Sequence, residues 1–225
     1  MLNMNKEVEL PMVPQRIAII SSATAAGYQD FINQLQNNDR QYQIHHELFE
    51  AYMQGNDTET SVIHALEQVH AHMHRFDAVA IIRGGGSRSD LSYFDSYMLA
   101  VNVAQFPLPV LTGIGHEKDE SITDLVAHTS LKTPTAVAEF LLERFLHFES
   151  SLQEYVAAIE QRAKQFLDTQ QEVLSGTIYR IRAAHQQRIS QARLQLESRR
   201  NQILHATRNQ LHTHAAALSH ARQKL

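Results

Sequence analysis

Three short stretches of this 225-residue chain set glycine beside residues that can hold or transfer charge. Arg83-Gly84-Gly85-Gly86-Ser87 is the first. Successive glycines let the backbone approach a bound group and aim amide donors at it, and the arginine adds a permanent charge with a fork suited to phosphate. The stretch reads either as a phosphate cradle or as a turn that links a strand to a helix. The second stretch, Gly113-Ile114-Gly115-His116-Glu117-Lys118-Asp119, places His116 three residues before Asp119. An imidazole oriented by a carboxylate is a candidate general acid or base. In the third, Ser21, Ser22 and Thr24 can donate hydrogen bonds to phosphate or cap the helix that follows. Asp30, one turn further on, either faces the same site or is an exposed carboxylate near the positive end of that helix. Asp124 has a structural reading, because Ser121-x-x-Asp124 matches a helix capping box.

Composition removes several other chemistries. With no cysteine there is no disulfide, iron–sulfur cluster, thiolate zinc site or cysteine nucleophile. The fourteen histidines suggest a metal, above all His70, His72 and His74 in HAHMH, but positions i and i+2 of a helix point about 200° apart, so the three cannot share a face. No apolar run approaches the roughly 18 residues of a membrane span, and the first ten residues lack the build of a secretory signal, so the expected location is the cytoplasm with no membrane contact.

The elements that position these residues follow from periodicity. Short apolar runs alternate with amphipathic stretches over the first half, the pattern of βαβ units around a mostly parallel, doubly wound sheet. Strands are expected at Arg16 to Ser22, Tyr42 to Phe49, Ala78 to Ile82 and Val110 to Thr112, and helices at Thr58 to His74 and Leu91 to Val103. In such sheets ligands bind beyond the carboxyl ends of the strands, so all three stretches fall on one rim.

The second half differs in kind. Thr133-Pro134 is a helix cap with proline at the first helical position, and helix-forming residues run on to Leu225 with Gly176 the lone glycine. Apolar residues recur every seven positions at Phe145, Leu152, Ile159 and Phe166, then at Leu167, Leu174 and Ile181, and again from Ile189 and from Leu204, a coiled-coil pattern with phase shifts. Its seam needs a partner helix, and it is still running at Leu225, as in a chain that continues. Charge divides at the same place. Residues 1–142 carry 8 Lys and Arg against 17 Asp and Glu, while residues 143–225 carry 12 against 7. A basic helical arm suits a polyanion or an acidic partner, or is a solvated face. Two domains are expected, an α/β unit over 11–142 and a helical coiled-coil arm over 143–225.

Taken together, ISSATAAGYQDF (Ile20 to Phe31), RGGGSRSDLSYFD (Arg83 to Asp95) and GIGHEKDESITDLVAHTSLKTPTAVAEF (Gly113 to Phe140) resemble the large subunit of exodeoxyribonuclease VII. The order of the triple glycine, GHExD and TPTAxAE is more specific than any one motif. The resemblance implies hydrolysis of single-stranded DNA from either end with 5′-phosphate products, no obligatory cofactor though Mg²⁺ is possible, and a helical arm that binds several copies of a small subunit. It marks Asp30, Arg83, His116 and Asp119 as catalytic positions, with Gly84, Gly85, Gly86 and Ser87 as the supporting loop. Two features depart from the family pattern. With the first strand starting near Arg16, the usual N-terminal single-strand-binding OB-fold is expected to be missing, and His128 and Ser130 stand where an aspartate and an arginine are common. A second reading of the same residues is a non-catalytic nucleic-acid-binding scaffold assembled through its arm.

Overall fold

In the computed structural model the chain forms two compact units, residues 1–155 and 156–225. Residues 2–84, 88–114 and 120–222 are described, the side chains at 88–90 and 217–222 excepted. The first unit is an α/β layer structure. Its strands are β1 (Arg16–Ser21), β2 (His45–Glu50), β3 (Ala78–Ile82), β4 (Val110–Gly113) and β5 (Thr129–Ser130), and its helices are α1 (Ala26–Gln36), α2 (Thr58–Ala71), α3 (Tyr97–Ala104), α4 (Ile122–Val126) and the start of α5 (Pro134–Arg222). The five strands are all parallel, in the order β2-β1-β3-β4-β5.

That order fixes which helix covers which face. The chain moves one way from β1 to β2, then crosses back over β1 and continues to β5, so right-handed crossovers put α1 on one face and α2, α3 and α4 on the other. The alternation of side chains along the strands agrees. Ile17, Ile19, Ala78, Ala80, Ile82 and Leu111 pack with Phe31 and Leu35 of α1 and with Val137, Ala138 and Leu141 of α5. Ala18, Ile20, Val79, Ile81 and Val110 pack with Val62, Leu66 and Val69 of α2 and Leu99 and Val103 of α3. β3 and β4 are buried at every residue, as a sheet covered on both faces requires. The doubly wound α/β sheet and the long C-terminal helix expected from the sequence are both present.

Three elements depart from expectation by more than one residue. β2 starts at His45 rather than Tyr42 because Asn38 takes both backbone groups of Tyr42, and Gln41 between them has a positive φ of 56°. The stretch expected to be one helix over Leu91 to Val103 is a 3-10 helix over Arg88–Phe94 followed by α3. Ser96 separates them by accepting from Leu99 N–H, while Thr123 Oγ1 donates to the Phe94 carbonyl at 2.6 Å, which withdraws that carbonyl from any helix. α2 ends at Ala71 and a 3-10 turn carries Met73–Arg75.

The segment before β1 places one polar side chain in the interior. Asn5 is fully buried, its Nδ2 donates to the carbonyls of Phe106 and Leu108 at 3.0 and 2.9 Å, and its Oδ1 accepts from the N–H of Val110 and His128 at 2.8 and 3.0 Å. One side chain thus joins the amino ends of β4 and β5. The first turns of α5 are tied down too, by Arg144 donating to the Pro11 carbonyl at 2.8 and 3.1 Å and by Tyr42 donating to Glu149.

The second unit is the remainder of α5. Its apolar positions, Ile159, Phe166, Leu174, Ile181, Leu196 and Ile203 among them, are exposed, which fits the coiled-coil pattern. Among the described residues no helix is long and apolar enough to cross a membrane.

Candidate active site at the carboxyl rim of the sheet

The chain leaves β1 toward one face and β3 toward the other, so a crevice opens between their carboxyl ends. Four pieces of chain meet there. Ser22 follows β1 and leads to Ala25, the first residue flanking α1, whose helix start has no side-chain cap. Arg83 and Gly84 follow β3. Gly113 and Ile114 end β4, and Thr133-Pro134 begins α5.

Glycines set how closely these pieces approach. A Cβ on Gly27, in the first turn of α1, would lie 2.2 Å from Gly84 Cα and 2.8 Å from Pro134 Cγ. A Cβ on Gly113 would lie 2.7 Å from Val137 Cγ2 and 3.0 Å from the Thr133 carbonyl oxygen. The N-termini of α1 and α5 are therefore brought together against the ends of β3 and β4. Each contributes the partial positive charge of a helix N-terminus, although at α5 Pro134 has no N–H and those of Ala136 and Val137 are already paired with Thr133. Thr133 caps α5 as its sequence suggests, accepting from Ala136 N–H at 3.1 Å.

Arg83 lies at this junction with only 4% of its surface exposed, and its N–H donates to the Gly113 carbonyl at 3.2 Å. A guanidinium keeps its charge there, and away from bulk water its field on a neighbouring anion is less screened. The β1 residues divide. Ser21 is buried and donates its hydroxyl to the Ile82 carbonyl at 2.8 Å, joining the carboxyl ends of β1 and β3. Ser22 and Thr24 hydrogen-bond each other at 3.2 Å on the accessible side of the turn. Asp30 is exposed in the second turn of α1. Gly85, Gly86, Ser87, His116 and Asp119 lie outside the described residues.

The residues that follow His116 and Asp119 in sequence have structural roles. Asp124 and Ser121 form the expected capping box at α4, with Ser121 Oγ donating to Asp124 Oδ2 at 2.7 Å and Asp124 N–H donating back at 3.1 Å. Asp95, which the sequence reading did not single out, accepts from Ile122 N–H at 2.9 Å and so adds a second carboxylate to the same helix start. Its signal was its place at the end of the RGGGSRSDLSYFD stretch. His128 sits level with Val110, at the amino ends of the strands, and its ring contacts the Thr129 hydroxyl at 2.8 Å. Burial and the positive charge of Arg144 hold its pKa below the ordinary 6.5. Ser130 pairs with Thr112 in β5. The histidines of HAHMH do not converge, and among the described residues no cluster of three or more His, Asp or Glu could hold a metal.

A parallel sheet of order β2-β1-β3-β4-β5, with a buried arginine and two helix N-termini at its switch point, defines a doubly wound α/β domain. The family profile described as "Exonuclease VII, large subunit" matches residues 1–225, and the chain belongs to that family. It is 30% identical over 221 residues to an exodeoxyribonuclease 7 large subunit of Shouchella clausii, an alignment that covers 96% of this chain and 47% of the relative. The corresponding protein of Ligilactobacillus salivarius is 35% identical over 76% of this chain and 38% of its own length. That of Thermotoga petrophila is 32% identical over 77% and 43%. The chain thus spans less than half the length of these curated relatives.

Proposed function

We propose that the carboxyl rim is the active site of an exonuclease that hydrolyses phosphodiester bonds of single-stranded DNA from either end and leaves 5′-phosphates. The observation that carries this reading is Arg83, buried at the switch point beside two helix N-termini, in a chain of the exonuclease VII large-subunit family. Such a junction favours a phosphate over a neutral group.

The roles follow from the chemistry. Arg83 and the amides of Gly84, Gly85, Gly86 and Ser87 hold the scissile phosphate and stabilise the charge that builds on its oxygens. Water attacks phosphorus, the bond to the 3′-oxygen breaks, and that oxygen takes a proton, which leaves the phosphate on the 5′ side. His116 with Asp119 activates the water or protonates the leaving oxygen. Asp30, on the first helix past the crevice, positions water or a metal, and Ser22 and Thr24 hold the strand. No cofactor is obligatory in this scheme, and Mg²⁺ would assist by neutralising phosphate charge. The exposed apolar seam of α5 is covered by several copies of the small subunit.

The test is cleavage of end-labelled single-stranded DNA by the chain mixed with a cognate small subunit, with EDTA or with Mg²⁺, beside the His116→Ala variant. Cleavage that His116→Ala loses is the expected result, and the EDTA lane decides the metal. Full activity in both His116→Ala and Arg83→Ala would overturn the site.

A further inference from the structure

A second cleft of about 370 Å³ lies on the same rim, beyond β1 on the β2 side. Ser22, Thr24, Glu50, Tyr52 and Ser61 line it. We propose that this cleft is a nucleobase subsite, in which a base of a single strand stacks on Tyr52. The inference rests on the nuclease reading only for what brings the strand to the rim.

The backbone that carries Tyr52 is fixed. Ala51 N–H donates to the Ser21 carbonyl at 3.0 Å, which prolongs the β1–β2 pairing by one residue. Tyr52 N–H then donates to Ser61 Oγ at 2.9 Å, and that hydroxyl lies 3.4 Å from the Tyr52 carbonyl, so the residue is clamped to the first turn of α2. Its neighbours Ala51 and Met53 are buried. Tyr52 itself is 67% exposed. A large aromatic ring held out on rigid backbone loses little conformational freedom when a planar ligand covers it.

The polar lining decides which part of a strand enters. The Glu50 carboxylate repels a phosphate, so the occupant is neutral, while the hydroxyls of Ser22 and Thr24 can hydrogen-bond the edge of a base. The phosphate on the 3′ or 5′ side of that base would reach the positive junction across β1, because Ser22 borders both places. Stacking of this kind accepts all four bases, since each has a π-face.

The experiment measures fluorescence-anisotropy binding of short, labelled phosphorothioate oligothymidylate to the full chain, beside an abasic oligomer of the same length and charge. Wild-type protein and Tyr52→Phe should bind the base-bearing strand more tightly than the abasic one. Tyr52→Ala should lose about tenfold for the base-bearing strand and leave the abasic strand unchanged. Equal binding of both oligomers by wild type, no binding of either, or an unchanged affinity in Tyr52→Ala would each overturn the subsite. Cleavage is read separately. Base binding without cleavage under any condition would end the nuclease reading and leave the subsite standing, and cleavage without base discrimination would do the reverse.

Discussion

Gly27 and Gly84 lie back to back, so close that a Cβ on Gly84 would sit 1.9 Å from the backbone nitrogen of Gly27. The doubly wound order sends the chain to opposite faces after β1 and β3, and this is where the two departures pass closest. Gly84 thus shapes the crevice by its lack of a side chain.

Alanine at either position is expected to destabilise the first unit by about 1–3 kcal/mol or more, because the clash is with backbone that cannot rotate aside. Urea unfolding would measure it. Gly176→Ala supplies the contrast, since its Cβ would meet nothing within 4 Å in the helix, and it should be stabilising by about 0.5–1 kcal/mol.

Arg83→Lys keeps the charge and removes the fork. If Arg83 holds the scissile phosphate in two directions, cleavage of single-stranded DNA should fall about 10²-fold or more while the thermal transition moves little. A parallel melting curve is needed because Arg83 is buried, and a Lys variant that melts normally yet cleaves normally would remove the residue from the mechanism.

Asn5→Ala should cost about 2–4 kcal/mol, the consequence of stranding buried backbone groups of Phe106, Leu108 and Val110. Asn5→Asp should be no better, as it turns an acceptor toward two carbonyls. Both are checked by denaturant midpoints, and hydrogen exchange should locate the loss in β4 and β5.

His128 makes a signed prediction about pH. Its pKa is depressed in the folded state by burial and by Arg144, so the unfolded chain takes up the proton first. Its contribution to stability is therefore intact above the unfolded value of about 6.5 and declines as pH falls from there toward the lower folded value. Wild type should lose more stability on acidification through that window than His128→Gln does, measured as the difference between their urea midpoints. The remaining histidines are common to both proteins and cancel.

Much of this arrangement was legible in the sequence because it rests on local signals. Continuous apolar runs marked β3 and β4, Thr133-Pro134 marked the start of α5, and Ser121-x-x-Asp124 marked the capping box of α4. What escaped notice depends on partners distant in sequence. β5 is two residues long and exists by pairing with β4. Ser21 and Ser22 are adjacent serines, yet the strand turns one inward to the Ile82 carbonyl and leaves the other at the crevice. Asp95 closes a loop motif in sequence and caps a helix 27 residues later in space. Nothing local announced Asn5.

Asn5 also bears on the order of events during synthesis. Its partners lie 101 to 123 residues downstream, so it is made well before the strands it joins. Three of its four hydrogen bonds can close once residues 106–110 are made, and the fourth waits for His128. Contacts of such long separation form late and slow the search for the native state. The Asn5 clasp therefore belongs to the late, long-range part of folding. Its closure requires the amino ends of β4 and β5 to lie side by side.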